Sequence, residues 1–183
     1  MSLTTLQIET PRLLLRPTRP EDFDAFALFM ANPESMRHLG SAPQPRSLAW
    51  RSFLSMAGAW AIQGFAMFSV IEKASGRWVG RVGPWQPEGW PGTEVGWGIA
   101  RDRWRCGYAT EAATAAIDWA FENLGWTEVI HVIAPENVAS QGVACKLGSR
   151  NRGRTRLPAP FVESIVDVWG QTKAEWHARR PAL

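Results

Sequence analysis

Thr93-Glu94-Val95-Gly96-Trp97-Gly98-Ile99-Ala100-Arg101-Asp102-Arg103-Trp104-Arg105-Cys106-Gly107-Tyr108-Ala109-Thr110-Glu111-Ala112 reads as a buried strand, a short loop with one glycine, and the first turn of a long helix. A strand-to-helix junction gathers free backbone N–H groups at the positive end of the helix dipole. Such a point binds phosphate or pyrophosphate. The loop lacks the Lys-Ser/Thr of a nucleoside-triphosphate loop and the three-glycine spacing of a dinucleotide fold. Those absences argue against the tail of ATP or the middle of NAD as the bound anion.

Downstream, Ala109, Ala112, Ala113, Ala116, Ile117, Ala120, Phe121 and Leu124 form one apolar helical stripe, and Gly125 suits the residue just past its end. Residues 127 to 134 read as a strand apolar on both sides, hence central. Asn137 is placed to cap a short helix running to Leu147, with Gly148 at its end and a last strand at Ser164 to Gln171. Upstream, the pattern predicts a strand at Arg12 to Arg16, a helix at Glu21 to Ala31 closed by Pro33, and a loop from Met36 to Pro45 holding His38 and Gly40. A second helix follows at Leu48 to Ile62. Strands at Phe65 to Glu72 and Trp78 to Val82 join through a turn near Ser75-Gly76, and Pro84 to Gly92 reads as a loop. Neither repeats nor linkers interrupt the pattern. It predicts one α/β (α+β) domain over residues 1–183, with a single mixed sheet and helices on both faces.

The chain has 183 residues, enough to bury a core, and 45% of them are hydrophobic, which excludes a disordered chain. Its apolar stretches are too short for a membrane span, and the opening residues lack a basic region followed by an apolar run. Two cysteines, Cys106 and Cys145, lie far apart and outside metal-ligand spacing, so reduced thiols in a cytoplasmic protein and no bound metal are expected. The net charge of +3 suits a partner with several negative charges; the scattered basic residues do not read as a nucleic-acid face. Arg150, Arg152, Arg154 and Arg156 alternate. On a strand they share one face, either a solvated edge or a contact to an anionic ligand.

Trp104-Arg105-Cys106-Gly107-Tyr108-Ala109-Thr110-Glu111-Ala112 resembles the acetyl-CoA loop of the GNAT N-acetyltransferases. In detail it is similar to the branch holding the ribosomal-protein N-terminal acetyltransferases. Asn137 through Ser140 and Lys146 through Gly148 match that branch's second motif, and Glu9 through Arg16 its opening strand. The resemblance runs from about residue 8 to residue 176. It implies the GNAT fold, a mostly antiparallel twisted sheet, acetyl-CoA as co-substrate without a metal, and a primary amine as acceptor. It also implies a monomer or homodimer. Acetyl-CoA contacts are implied at Trp97, Ile99, Arg105, Cys106, Gly107, Tyr108, Ala109, Thr110, Asn137 and Ser140. Trp104 stands at the first loop position, as in that branch, and Arg105 replaces a frequent glycine.

Acetyl transfer from a thioester to an amine needs a held donor, a neutral amine, a donor for the oxyanion and a proton for the leaving thiolate. Ser140, Val143, Ala144 and Leu147 recur at helical spacing, which turns Ser140 inward. Its hydroxyl either protonates the thiolate or bonds back to the carbonyl of residue 136. Asn137 caps its helix and can also hold the pantetheine arm. Many family members use a tyrosine as the acid. Tyr108, the chain's only tyrosine, sits inside the anion loop, which points to Ser140 instead. Glu94 is the candidate base, with a cross-strand ion pair as its structural alternative. His131 reads as a satisfied core residue. His38, Trp85 and Trp90 are candidate acceptor contacts, the tryptophans forming either an aromatic pocket or ordinary packing. A non-catalytic acyl-CoA sensor and a small nucleic-acid-binding protein are the competing readings.

Overall fold

The computed structural model describes residues 5–39 and 42–179; Gly40, expected in a loop, lies outside them. Eight strands form one sheet: β1 (Ile8–Glu9), β2 (Leu13–Arg16), β3 (Phe68–Glu72), β4 (Trp78–Trp85), β5 (Glu94–Ile99), β6 (Glu128–Ile133), β7 (Arg150–Arg156) and β8 (Ile165–Thr172). Six helices accompany them: α1 (Phe23–Ala31), α2 (Pro33–Met36), α3 (Arg46–Gln63), α4 (Tyr108–Asn123), α5 (Val138–Lys146) and α6 (Lys173–Arg179). The strand order is β1-β2-β3-β4-β5-β6-β8-β7, and every adjacent pair is antiparallel except β5 with β6.

Apolar alternation divides the core between the two faces of the sheet. On one face Leu13, Leu15, Phe68, Val70 and Val95 pack beneath the alanine-rich stripe of α4. Its small side chains let the helix lie close to the strands. On the other face Phe26, Phe29 and Met30 of α1 and Phe53 and Met56 of α3 close over Met67. Gly98 makes that approach possible, because a Cβ there would stand 2.9 Å from the Phe29 ring.

The parallel pair β5·β6 positions the site. Its ladder is short: Glu94 faces Ile130, and Ile130 N donates to Thr93 O at 2.9 Å. Beyond that point side chains bridge the two strands. Val132 N donates to Glu94 Oε1 at 3.2 Å, and His131 Nδ1 meets Val95 O at 2.7 Å. A cleft opens where the strands part.

Several elements differ from the sequence expectation. Pro33 opens α2 rather than closing α1, because Asn32 Oδ1 caps the new turn from Ser35 N at 2.9 Å. Pro84 and Trp85 extend β4 instead of forming a loop. The β3 register ends at Val82, so the missing N–H of Pro84 costs that ladder nothing. Glu9 belongs to a separate short strand paired with Leu14. Helix α6 was not expected, although Thr172 and Glu175 form a reciprocal cap: Thr172 N donates to Glu175 Oε2 at 2.8 Å and Glu175 N to Thr172 Oγ1 at 3.2 Å.

The arginine series falls on β7, the outermost strand. A register shift between Asn151 and Arg154 breaks the simple alternation. Arg152 pairs with Glu128 at 2.7 Å, Arg154 with Asp167 at 2.7 Å and Arg156 with Glu163 at 3.9 Å, so these three serve the edge of the sheet.

Candidate active site

The loop between β5 and α4 turns through two left-handed residues, Arg105 at φ 63° and Gly107 at φ 82°. An L-residue is disfavoured at such angles, which accounts for glycine being usual where Arg105 stands. Among the described residues nothing accepts a hydrogen bond from the N–H groups of residues 105 to 110; the first helical bond there is Glu111 N to Gly107 O at 3.1 Å. These donors and the α4 N-terminus form a cradle for an anion.

The opening hairpin braces this loop. Arg12 Nε donates to Glu111 Oε2 at 2.7 Å and Arg12 Nη1 to Cys106 O at 2.8 Å. Glu111 Oε1 also accepts from Thr10 Oγ1 at 2.6 Å. Burial opposes the Glu111 charge, yet the bonds from Thr10 and Arg12 hold its carboxyl below the usual range. Tyr108 sits in the core beneath the loop, with its hydroxyl donating to Glu72 Oε1. That bond pushes the phenol's pKa up and suits a structural role.

A cavity of about 660 Å³ runs from the loop along the end of β5 to α5. Trp97, Ile99, Arg105, Gly107, Tyr108, Ala109, Thr110, Asn137 and Ser140, all expected at the acetyl-CoA site, line it. Cys106 does not: its side chain is exposed, its Sγ directed to Trp104 O at 3.6 Å.

A second cavity, of about 550 Å³, lies under α3 and against the parted ends of β5 and β6. Glu94, Trp85 and Trp90 line it. His38, Trp97, Asn137 and Ser140 border both cavities. Ser140 does not bond back along its helix. Its Oγ accepts Trp97 Nε1–H at 3.2 Å, while Asn137 Oδ1 caps the helix from Ser140 N at 3.1 Å. No described residue takes the Ser140 hydroxyl hydrogen, which is free to point into the cavity. His38 Nδ1 stands 3.6 Å from Glu136 Oε1.

Glu94 is nearly buried, 5% exposed. Among the described residues no salt bridge reaches it; instead Oε2 accepts from Trp90 Nε1 at 2.6 Å and Oε1 from Val132 N. Burial outweighs both bonds and pushes its carboxyl up to about 7. His131 goes the other way. Burial lowers it to about 4, so it is neutral, held between Val95 O and Ser149 Oγ at 3.0 Å. It is a satisfied core residue, as expected.

Sequence reasoning missed Arg12 and Arg81. Arg12 is signalled by the Glu9-Thr-Pro-Arg stretch but acts from far away in the chain. Arg81, on β4, lines the second cavity with no sequence signal of its own. Among the described residues no group of three or more His, Cys, Asp or Glu is placed to hold a metal ion, and no helix is long and apolar enough to cross a membrane.

The acetyltransferase (GNAT) domain family matches residues 12–150, and the chain belongs to that family. It is therefore an acetyltransferase, of a family whose donor is acetyl-CoA. It is 26% identical over 162 residues to the uncharacterized N-acetyltransferase p20 of Bacillus licheniformis, covering 87% of this chain and 91% of the relative. The structure of an acetyltransferase from Agrobacterium tumefaciens superposes with a TM-score of 0.79 at 27% identity, over 94% of this chain and 98% of that one. RimJ of Mycobacterium smegmatis, solved in complex with CoA-disulfide, shares the fold with a TM-score of 0.70. Its identity is 20%, over 93% of this chain and 87% of RimJ.

Proposed function

We propose that this chain, a single domain over residues 1–183, moves an acetyl group from acetyl-CoA directly to a primary amine on a small, largely apolar body. The observation that carries the reading is the meeting of the two cavities at Trp97, Asn137 and Ser140, with the Glu94 carboxyl inside the second. The donor's pyrophosphate fits the free N–H groups of residues 105 to 110, and its pantetheine arm fits the channel between Ile99 and Asn137. The acceptor's body fits the second cavity, against Trp85, Trp90 and the methionines Met30, Met56 and Met67.

In this reading the amine nitrogen attacks the thioester carbonyl. A C–N bond forms, and the C–S bond then breaks. Glu94, directly or through water, takes the proton the nitrogen must lose. A carboxyl held at about 7 matches that task near neutral pH. Ser140 gives its hydroxyl proton to the departing thiolate. The Trp97 N–H that it accepts makes this loss easier. Among the described residues neither the Cys106 nor the Cys145 thiol is hydrogen-bonded to a basic side chain, which supports transfer without an acyl-enzyme. Both cysteines are exposed and neither is in a disulfide, which supports a reducing location such as the cytoplasm.

A thiol reagent that follows CoA release across a panel of primary amines tests the reading. Amine-dependent, saturable release is expected. Tight binding of acetyl-CoA with no release for any amine would favour a sensor instead.

A further inference from the structure

Buried charges in proteins are ordinarily paired, because an unpaired one loses its water and gains nothing back. Arg81, half-buried in the wall of the second cavity, departs from that pattern at its inner nitrogen. Its Nε is shut off from solvent and has no hydrogen-bond partner among the described residues. Among the described residues the guanidinium's one hydrogen bond is a weak contact from Nη1 to the Met56 thioether at 3.9 Å. No described carboxylate lies within salt-bridge distance of it. Burial lowers its pKa to about 10, against the pull of Glu94, so it stays charged at neutral pH.

The sheet register fixes where this charge stands. Arg81 pairs with Gly98 and Trp85 with Glu94, so side-chain alternation puts Arg81 and Glu94 on one face of the β4–β5 pair. Gly96, between them on β5, lets the Met67 methyl lie close against the strand; a Cβ there would stand 2.7 Å from Met67 Cε. The second cavity thus offers a proton acceptor toward one end, an unpaired guanidinium toward the other, and methionine and tryptophan walls around them. Arg37, Glu136 and Glu163 also line the cavity but are exposed at its rim, so Arg81 is the charged group that the cavity wall leaves without a partner. An anion would complete it, and a guanidinium fork matches a carboxylate in two parallel hydrogen bonds.

We propose that the acceptor is a primary amine that also bears a carboxylate, an amino acid in the broad sense, and that Arg81 binds the carboxylate. This rests on the acetyl-transfer reading above and narrows its substrate class. Arg81 then sets specificity and takes no proton in the reaction.

Matched amines that differ only in the carboxylate test it: phenylalanine against phenethylamine, and 4-(aminomethyl)benzoate against benzylamine. At least one carboxylate-bearing member should show kcat/KM tenfold or more above its partner. Arg81→Met should bring that ratio close to one, chiefly through KM, and leave the Tm and the CoA affinity near wild type; any loss passed through Glu94, whose pKa the guanidinium holds down, falls on both members of a pair and leaves their ratio unmoved. Arg81→Lys, which keeps the charge and loses the fork, should fall between. Equal kcat/KM within both pairs, or an equal loss for both members in Arg81→Met, would overturn the proposal. If no amine is turned over at all, the acetyl-transfer reading has failed on its own account. The carboxylate site is then judged by calorimetry with 4-methylbenzoate on the CoA-loaded protein. Binding weakened tenfold or more in Arg81→Met supports it. No binding, or equal binding to both proteins, overturns it.

Discussion

The two cavities are built from different material. The proposed donor side centres on a backbone cradle made by one contiguous stretch, residues 104 to 110, braced from behind by Arg12, with β5 and α5 as the walls of the channel that leads from it. The acceptor side is made of side chains drawn from α3, β4, β5 and β6, and from the loops around His38, Trp90 and Phe161. Backbone N–H groups bind the same anion whatever side chains they carry, so the donor half suits a co-substrate common to a family. A wall of side chains can be changed one residue at a time, so the acceptor half is where individual chains differ. A substitution should therefore damage one half and spare the other.

Glu94→Gln should give the largest effect. Turnover should fall about 10²-fold or more at and below pH 7, with acetyl-CoA affinity unchanged. The loss should narrow above pH 7, as the acceptor amine becomes neutral without help. A steady-state pH profile checks this. A loss that is the same at every pH would make Glu94 structural.

The same carboxyl affects stability, and in a definite direction. Its pKa is raised from 4.5 to about 7 on folding, so the folded chain holds the proton more tightly and stability falls as pH rises through that window. The cost of the buried carboxylate above pH 7 is about 3 kcal/mol. His131 is lowered from 6.5 to about 4, so it destabilises in the opposite sense, as pH falls through that window. Between pH 4.5 and 6.5 the two slopes oppose each other in the wild type, so denaturant titrations should compare it with Glu94→Gln, which keeps His131. The difference should move against the wild type by about 3 kcal/mol as pH rises from 4.5 to 7.5. A difference that does not change over that range would contradict the placement of Glu94.

On the donor side, Gly107→Val puts a β-branched residue at φ 82° and a Cβ within 3.3 Å of Arg12 Nη2. Acetyl-CoA affinity should drop about tenfold or more by calorimetry, with the fold intact. An unchanged affinity would remove the loop from the site.

The sequence revealed these halves unequally, for the same physical reason. The strand, loop and helix around Gly107 lie within twenty residues, so the periodicity, the glycine and the helix start could be read together. The two-faced sheet followed from alternating strands and the alanine stripe of α4. The parting of β5 and β6 was not legible, because it depends on which strands become neighbours. Nor was the pair of bridges, Glu94 to Val132 and His131 to Val95, that replaces the ladder there. Arg81 looks like any arginine in a strand until the absence of a partner is seen in three dimensions. Helix α6 is a different case. The Thr172 to Glu175 cap was present in the sequence and went unread.

The central claim is that donor and acceptor lie side by side and react across the wall formed by Trp97, Asn137 and Ser140. Initial rates measured over a grid of acetyl-CoA and amine concentrations test it most directly. The account predicts intersecting double-reciprocal lines, the mark of a complex that holds both substrates together. Parallel lines, with acetyl transferred to the protein in the absence of amine, would contradict it.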